Sequence, residues 1–151
     1  MDIACGATTD QLSPGPTSLD AIVAAYTEQI DFVEGEGGQA VVMASRQLAA
    51  SARHADDYRE VYSRILGQSN RTVIIHWLGE MFDPALAEYW GSDDLDQATE
   101  SFLAIISDNA DMIDGVKISL LDKAREIDMR RRGFPTVCGC TPGTKTSTPT
   151  P

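Results

Sequence analysis

The fold class that this sequence predicts is α/β, a parallel sheet with helices between its strands, and three observations lead to it. Short apolar runs begin near Ile3, Ala40, Thr72 and Met112. Segments of helical periodicity lie between them, and the repeat has the scale of a βαβ unit, roughly 30 residues or more. The run at 40–44 is apolar at every position, as in a parallel strand covered on both faces.

Residues 2–7 read as a short first strand, apolar at Ile3, Ala4 and Cys5 and stopped by Gly6. The loop at 8–16 carries Pro14-Gly15-Pro16, which regular structure does not accommodate. Thr17 with Asp20 three residues on matches a variant of the capping box. Leu19, Ile22, Val23, Tyr26, Ile30 and Val33 then recur at helical spacing, so a helix is predicted to about Glu34, ended by Gly35, Gly37 and Gly38. After the second strand, Ser45 and Arg46 precede a short helix over 48–52. A longer helix follows, with Tyr58, Val61, Tyr62, Ile65 and Leu66 on one face and Gly67 at its close. The third strand, 72–77, is rich in β-branched residues and runs into His76-Trp77-Leu78-Gly79-Glu80. Pro84 suits the first turn of a helix through Trp90. Asp93-Asp94 precede another helix, whose face is Leu95, Ala98, Phe102, Ile105 and Ile106. The fourth strand is 112–119, and a last helix starts at Leu120 or Leu121 and ends near Arg132.

Bulk properties narrow the function classes. The 151 residues suit one domain, and 42% hydrophobic with 23% charged residues is a globular composition. Asp and Glu outnumber Lys and Arg by 23 to 12, a formal charge of -11, which argues against nucleic acid and anionic membranes as partners. Arg130-Arg131-Arg132 falls at a helix C-terminus, where the helix dipole favours cations. No apolar run approaches the roughly 20 residues of a membrane span, and no secretory leader is read, so a cytoplasmic protein is expected. On that expectation the sequon at Asn70 has no meaning. The three cysteines suggest no disulfide framework: Cys5 lies in the first strand, and Cys138 and Cys140 have no second Cys/His pair to make a metal site.

Parallel sheets gather their functional groups at the carboxyl ends of the strands. In this chain those ends carry residues 6–9, Ser45-Arg46, His76, and Lys117 to Ser119. Lys117 is the most informative of them, because Val116 and Ile118 flank it and Gly115 leaves the backbone open to close approach. Two readings stay open: a lysine that reaches water from a strand end, or one whose desolvated amine is a nucleophile. His76 reads either as a general acid or base or as a histidine fixed by hydrogen bonds. Arg46 reads either as a fork for a substrate carboxylate or as one half of a surface ion pair. Glu80 follows His76 by four residues, but in a loop that spacing does not make a metal pair, and His54 among Arg53, Asp56 and Asp57 reads as solvated.

The segment G-V-K-I-S-L-L-D resembles the G-I-K-x-S/A-x-x-D segment of the dihydrodipicolinate synthase and N-acetylneuraminate lyase superfamily, in which the lysine forms a Schiff base with a keto acid. Lys117 falls on that lysine. The superfamily's preceding strand ends in Y-N-x-P after an apolar run; here Val73-Ile74-Ile75 leads into His76, which stands where the tyrosine would be. The closer resemblance is to a bacterial branch that shares E-G-E-G-G at 34–38, M-A-S-R at 43–46, I-I-H-W-L-G-E-M-F-D-P at 74–84 and K-I-S-L-L-D at 117–122. It implies a partial (β/α)8 TIM barrel over residues 1–132, about four βα units, the third to the sixth. It also implies a cofactor-independent lyase or aldolase chemistry with Lys117 and His76 as catalytic residues and Ser45, Arg46 and Ser119 at the substrate. The missing tyrosine means that no particular substrate is implied beyond a small-molecule keto acid.

A full barrel of this kind takes about 250 residues, so two units are expected before Met1. From Gly133 the composition changes to a Thr-, Pro- and Gly-rich tail with no period, residues 133–151. A one-base shift of frame permits LPDGVRMYTGDEDFN there, similar to the superfamily's continuation, and out-of-frame translation is the expectation. An isolated half-barrel is expected to be impaired and to form homo-oligomers or aggregates through its open edges. Two other functions compete: a noncatalytic, small-molecule-binding scaffold, and a metal-dependent barrel hydrolase using His76 and Glu80.

Overall fold

In the computed structural model, which describes residues 3–133, strands β1 (Ala4–Ala7), β2 (Gln39–Val42), β3 (Val73–Leu78) and β4 (Ile113–Ser119) lie side by side in chain order, every pair parallel. The protein is therefore α/β with a four-stranded all-parallel sheet. Helices α1 (Leu19–Gly35), α2 (Arg46–Ser51), α3 (Ala55–Gln68), α4 (Leu95–Asp108) and α5 (Lys123–Gly133) alternate with the strands. Right-handed crossovers between strands in sequential order place their helices on one side of a sheet, whereas a doubly wound fold reverses its order midway. In keeping with this, α1 packs on α3, α3 on α4 and α4 on α5 as one layer.

Strand register divides the sheet into two different faces. Ala7, Val42, Ile75 and Val116 are register partners in one row across all four strands, and all are buried. With Ala40, Val73, Trp77 and Ile118 they meet the apolar faces of the helices, among them Ile22, Tyr26 and Ile30 of α1, Val61, Tyr62 and Ile65 of α3, and Phe102 and Ile105 of α4. The row beside it runs Gly6, Val41, Ile74 and Gly115, and continues with His76 opposite Lys117 and Leu78 opposite Ser119. No helix of the described residues is long and apolar enough to cross a membrane.

Local chemistry explains where the elements begin. Ser18, rather than Thr17, caps α1: its hydroxyl accepts from the Ala21 amide at 3.1 Å, while the Thr17 amide donates to Ser51 Oγ at 2.8 Å. Ser45 caps α2, which starts earlier than the periodicity predicts. His54 stands at the start of α3, exposed and without a side-chain cap bond. The last helix starts at Lys123, not at Leu120 or Leu121. Leu120 is buried, Leu121 takes φ +60°, and the carboxylate of Asp122 accepts from the Arg125 amide at 3.0 Å.

The expected helix through Trp90 is replaced by a single 3₁₀ turn, Pro84–Leu86, and an irregular segment in which Glu88, Trp90 and Gly91 have φ of +61°, +75° and +95°. The reason is the aromatic core. Tyr89 and Trp90 are consecutive and both buried, and their rings meet Tyr58, Tyr62, Trp77 and Phe102 at centroid distances of 4.8–6.0 Å. The left-handed residues Glu88, Trp90 and Gly91 turn the chain so that both rings enter this cluster. The tail from residue 134, with Cys138 and Cys140, lies outside the described residues.

Candidate functional site

His76 and Lys117 are direct register partners on the sheet face that the row of Val42 and Ile75 does not share. A β-bulge between Val73 and Ile74 sets that pairing, since it offsets β3 by one residue against β4. Ser119 lies two residues beyond Lys117 on the same face, and its Oγ is 3.1 Å from His76 Nε2. The two side chains differ in burial: His76 is 4% exposed, while Lys117 is exposed. Burial, and then the charge of Lys117, pushes the imidazole pKa from 6.5 down to about 4, so the ring is neutral at physiological pH. His76 Nδ1 is buried and has no hydrogen-bond partner. The site thus pairs a neutral imidazole, one nitrogen held and the other bare, with a primary amine across one strand spacing.

Ser45 and Arg46, at the end of β2, lie apart from this pair in their bonding. Ser45 is 1% exposed: its Oγ accepts from the Leu48 amide at 3.0 Å and lies 2.6 Å from Thr9 Oγ1, and its own amide donates to the Tyr89 hydroxyl at 3.0 Å. Thr9 Oγ1 donates to Gln47 Oε1 at 2.7 Å, and the hydroxyls of Tyr62 and Tyr89 are 3.0 Å apart. Burial raises the pKa of Tyr26, Tyr62 and Tyr89, so these phenols stay protonated. The network ties the loops after β1, β2 and β3 together beneath the rim. Arg46 lies above it, its Nε 2.7 Å from Asp83 and its Nη1 3.6 Å from Asp10. Its fork is engaged by the protein's own carboxylates, and an incoming carboxylate would have to displace Asp83.

A cavity of about 430 Å³ opens at the carboxyl ends of β3 and β4. Trp77 and Tyr89 form its aromatic wall, Leu120 adds apolar surface, and Glu80, Glu88 and Asp93 supply carboxylates. Trp77 belongs to the helix-facing row, so the cavity lies on the other side of β3 from His76 and Lys117, neither of which lines it. Among the described residues no three His, Cys, Asp or Glu side chains come together as a metal site.

Of the residues singled out from the sequence, His76, Lys117 and Ser119 are thus brought together, while Ser45 and Arg46 belong to a loop network and an ion pair. Sequence reasoning missed Gln47 and Tyr89 of that network. Gln47 follows the Ser45-Arg46 strand end and could have been added to it; Tyr89 gives no local signal, because its partners Ser45 and Tyr62 lie 44 and 27 positions away. A family model described as "Protein of unknown function (DUF993)" matches residues 1–141. No curated protein matches the chain.

Proposed function

The chain belongs to the DUF993 family, and from that premise and the site geometry we propose that it carries the catalytic half of a Schiff-base lyase or aldolase for a keto acid. The observation that carries this reading is the pairing of Lys117 with His76 in one register position, with Ser119 bonded to the imidazole. In this reading the unprotonated amine of Lys117 attacks the keto carbon, the N–C bond forms, and the carbonyl oxygen leaves as water. His76, neutral and with a lone pair on one ring nitrogen, carries the two protons that the amine loses, one after the other, to the carbonyl oxygen, which departs as water and leaves the neutral imine. The resemblance of G-V-K-I-S-L-L-D to the dihydrodipicolinate synthase superfamily supports the same chemistry.

The singly wound sheet supports a (β/α)8 barrel as the parent architecture, to which this chain contributes four units. In a closed barrel the face of Lys117 and His76 would be the interior, where a bound keto acid would be held against the amine. Lys117 is exposed on the open sheet, so weak trapping is expected from this chain and stronger trapping from the full reading frame that encodes it.

The test is borohydride reduction in the presence of pyruvate and a panel of related keto acids, followed by peptide mass spectrometry. A reduced adduct on Lys117 that is lost in Lys117→Arg is the expected result. No adduct from any keto acid on either form, or an adduct that persists in Lys117→Ala, would remove the reading. A second reading, a noncatalytic small-molecule-binding scaffold, is favoured by one observation: the Arg46 fork is already occupied by Asp83 and Asp10. Saturable binding of a keto acid without any reducible adduct would select it.

A further inference from the structure

The two nitrogens of His76 are in different situations, and the difference has chemical content. Nε2 is 3.1 Å from Ser119 Oγ, a group that can either donate or accept. Nδ1 is buried without a partner, in a residue 4% exposed. A neutral imidazole has one N–H, so only two arrangements exist. If Nδ1 carries the hydrogen, Ser119 donates to Nε2 and a buried N–H is left with no acceptor. If Nε2 carries it, Nε2–H donates to Ser119 Oγ and the orphaned atom is a lone pair. Orphaned buried N–H groups are the rarer and costlier defect.

We infer that Ser119 is a positioning residue that holds His76 in its Nε2–H tautomer, so that the ring lone pair lies on the buried Nδ1. The sheet makes this arrangement rigid. Ser119 is the register partner of Leu78, so it sits diagonally beside His76 on the same face, with both residues in regular strands.

This inference deepens the catalytic reading by naming which nitrogen takes the proton, and it rests on that reading only there. The tautomer itself is a property of the unliganded chain, so it stands or falls independently of keto-acid trapping. The measurement is a long-range proton–nitrogen correlation spectrum of the ¹⁵N-labelled protein at pH 7. Exposed His54, the other of the two histidines, is identified through His54→Gln. His76 should show a pyrrole-type Nε2 and a pyridine-type Nδ1. In Ser119→Ala both signals should move toward the averaged positions of exchanging tautomers, and Ser119→Thr, which restores the hydroxyl, should return them. A protonated Nδ1 in the wild type would overturn the inference, as would a Ser119→Ala spectrum identical to it. Should Ser119→Ala not fold, Ser119→Cys, of similar size but a weak acceptor, gives the same comparison.

Discussion

His76 is neutral in the folded chain at any pH well above 4, and a histidine that unfolds takes its proton near 6.5. The sign of the linkage follows: between those values the unfolded chain binds a proton that the folded chain refuses, so stability falls as pH drops through this window and levels off below it. The full effect is on the order of 3 kcal/mol. Urea titrations at pH 7, 5.5 and 4.5 should show a fall in wild type that is largely absent in His76→Gln; equal slopes in the two proteins would contradict the burial of the imidazole. At the same scale, Ser45 and Arg46 should separate. Ser45→Ala removes the cap of α2 and a buried partner of Thr9, and a loss of about 2 kcal/mol is expected. Arg46→Ala breaks an ion pair that is 58% exposed on the arginine side and should cost under about 1 kcal/mol. Sequence placed Lys117, His76 and Ser119 at strand ends. Their direct opposition was not legible there, because it depends on the one-residue offset of the bulge at Val73/Ile74. A single residue of slip would turn one side chain of the pair to the helix side.

Helical faces were the most legible elements: Tyr58, Val61, Tyr62, Ile65 and Leu66 form the buried side of α3 as their spacing predicts. The segment after β3 was the least legible, since Pro84 signals a helix start and the demand of Tyr89 and Trp90 for one aromatic cluster overrides it. Gly91 makes that override feasible. It takes φ +95°, and a Cβ there would come within 2.6 Å of the Ala55 backbone amide. Gly91→Ala is therefore expected to destabilise by about 2 kcal/mol or more, from left-handed strain plus collision with fixed backbone. Gly67 is the contrasting case, exposed in the last turn of α3 with nothing within 4 Å of an added Cβ. Gly67→Ala should raise stability by up to about 1 kcal/mol. Thermal unfolding of the two variants beside wild type checks both signs.

At the scale of the molecule, the sheet has its helices in one layer, a row of unlike residues on its other face, and edge strands at β1 and β4. Ile3, 64% exposed beside β1, adds apolar surface to one edge. Unpaired edges recruit further strands, so the 151-residue chain should self-associate with rising concentration, and Ile3→Lys should weaken that association in sedimentation velocity. A wild type that stays monodisperse and monomeric up to high concentration would contradict this. The sequence by itself determined that this is an α/β chain of parallel strands, and it determined which residues stand at the strand ends, because hydrophobic period and turn chemistry are local properties. Only the tertiary structure decided that His76 faces Lys117, that Ser119 engages one imidazole nitrogen and leaves the other bare, and that Arg46 is already paired. Register, burial and ion pairing join residues 36–43 positions apart, and no local pattern records how such distant segments align.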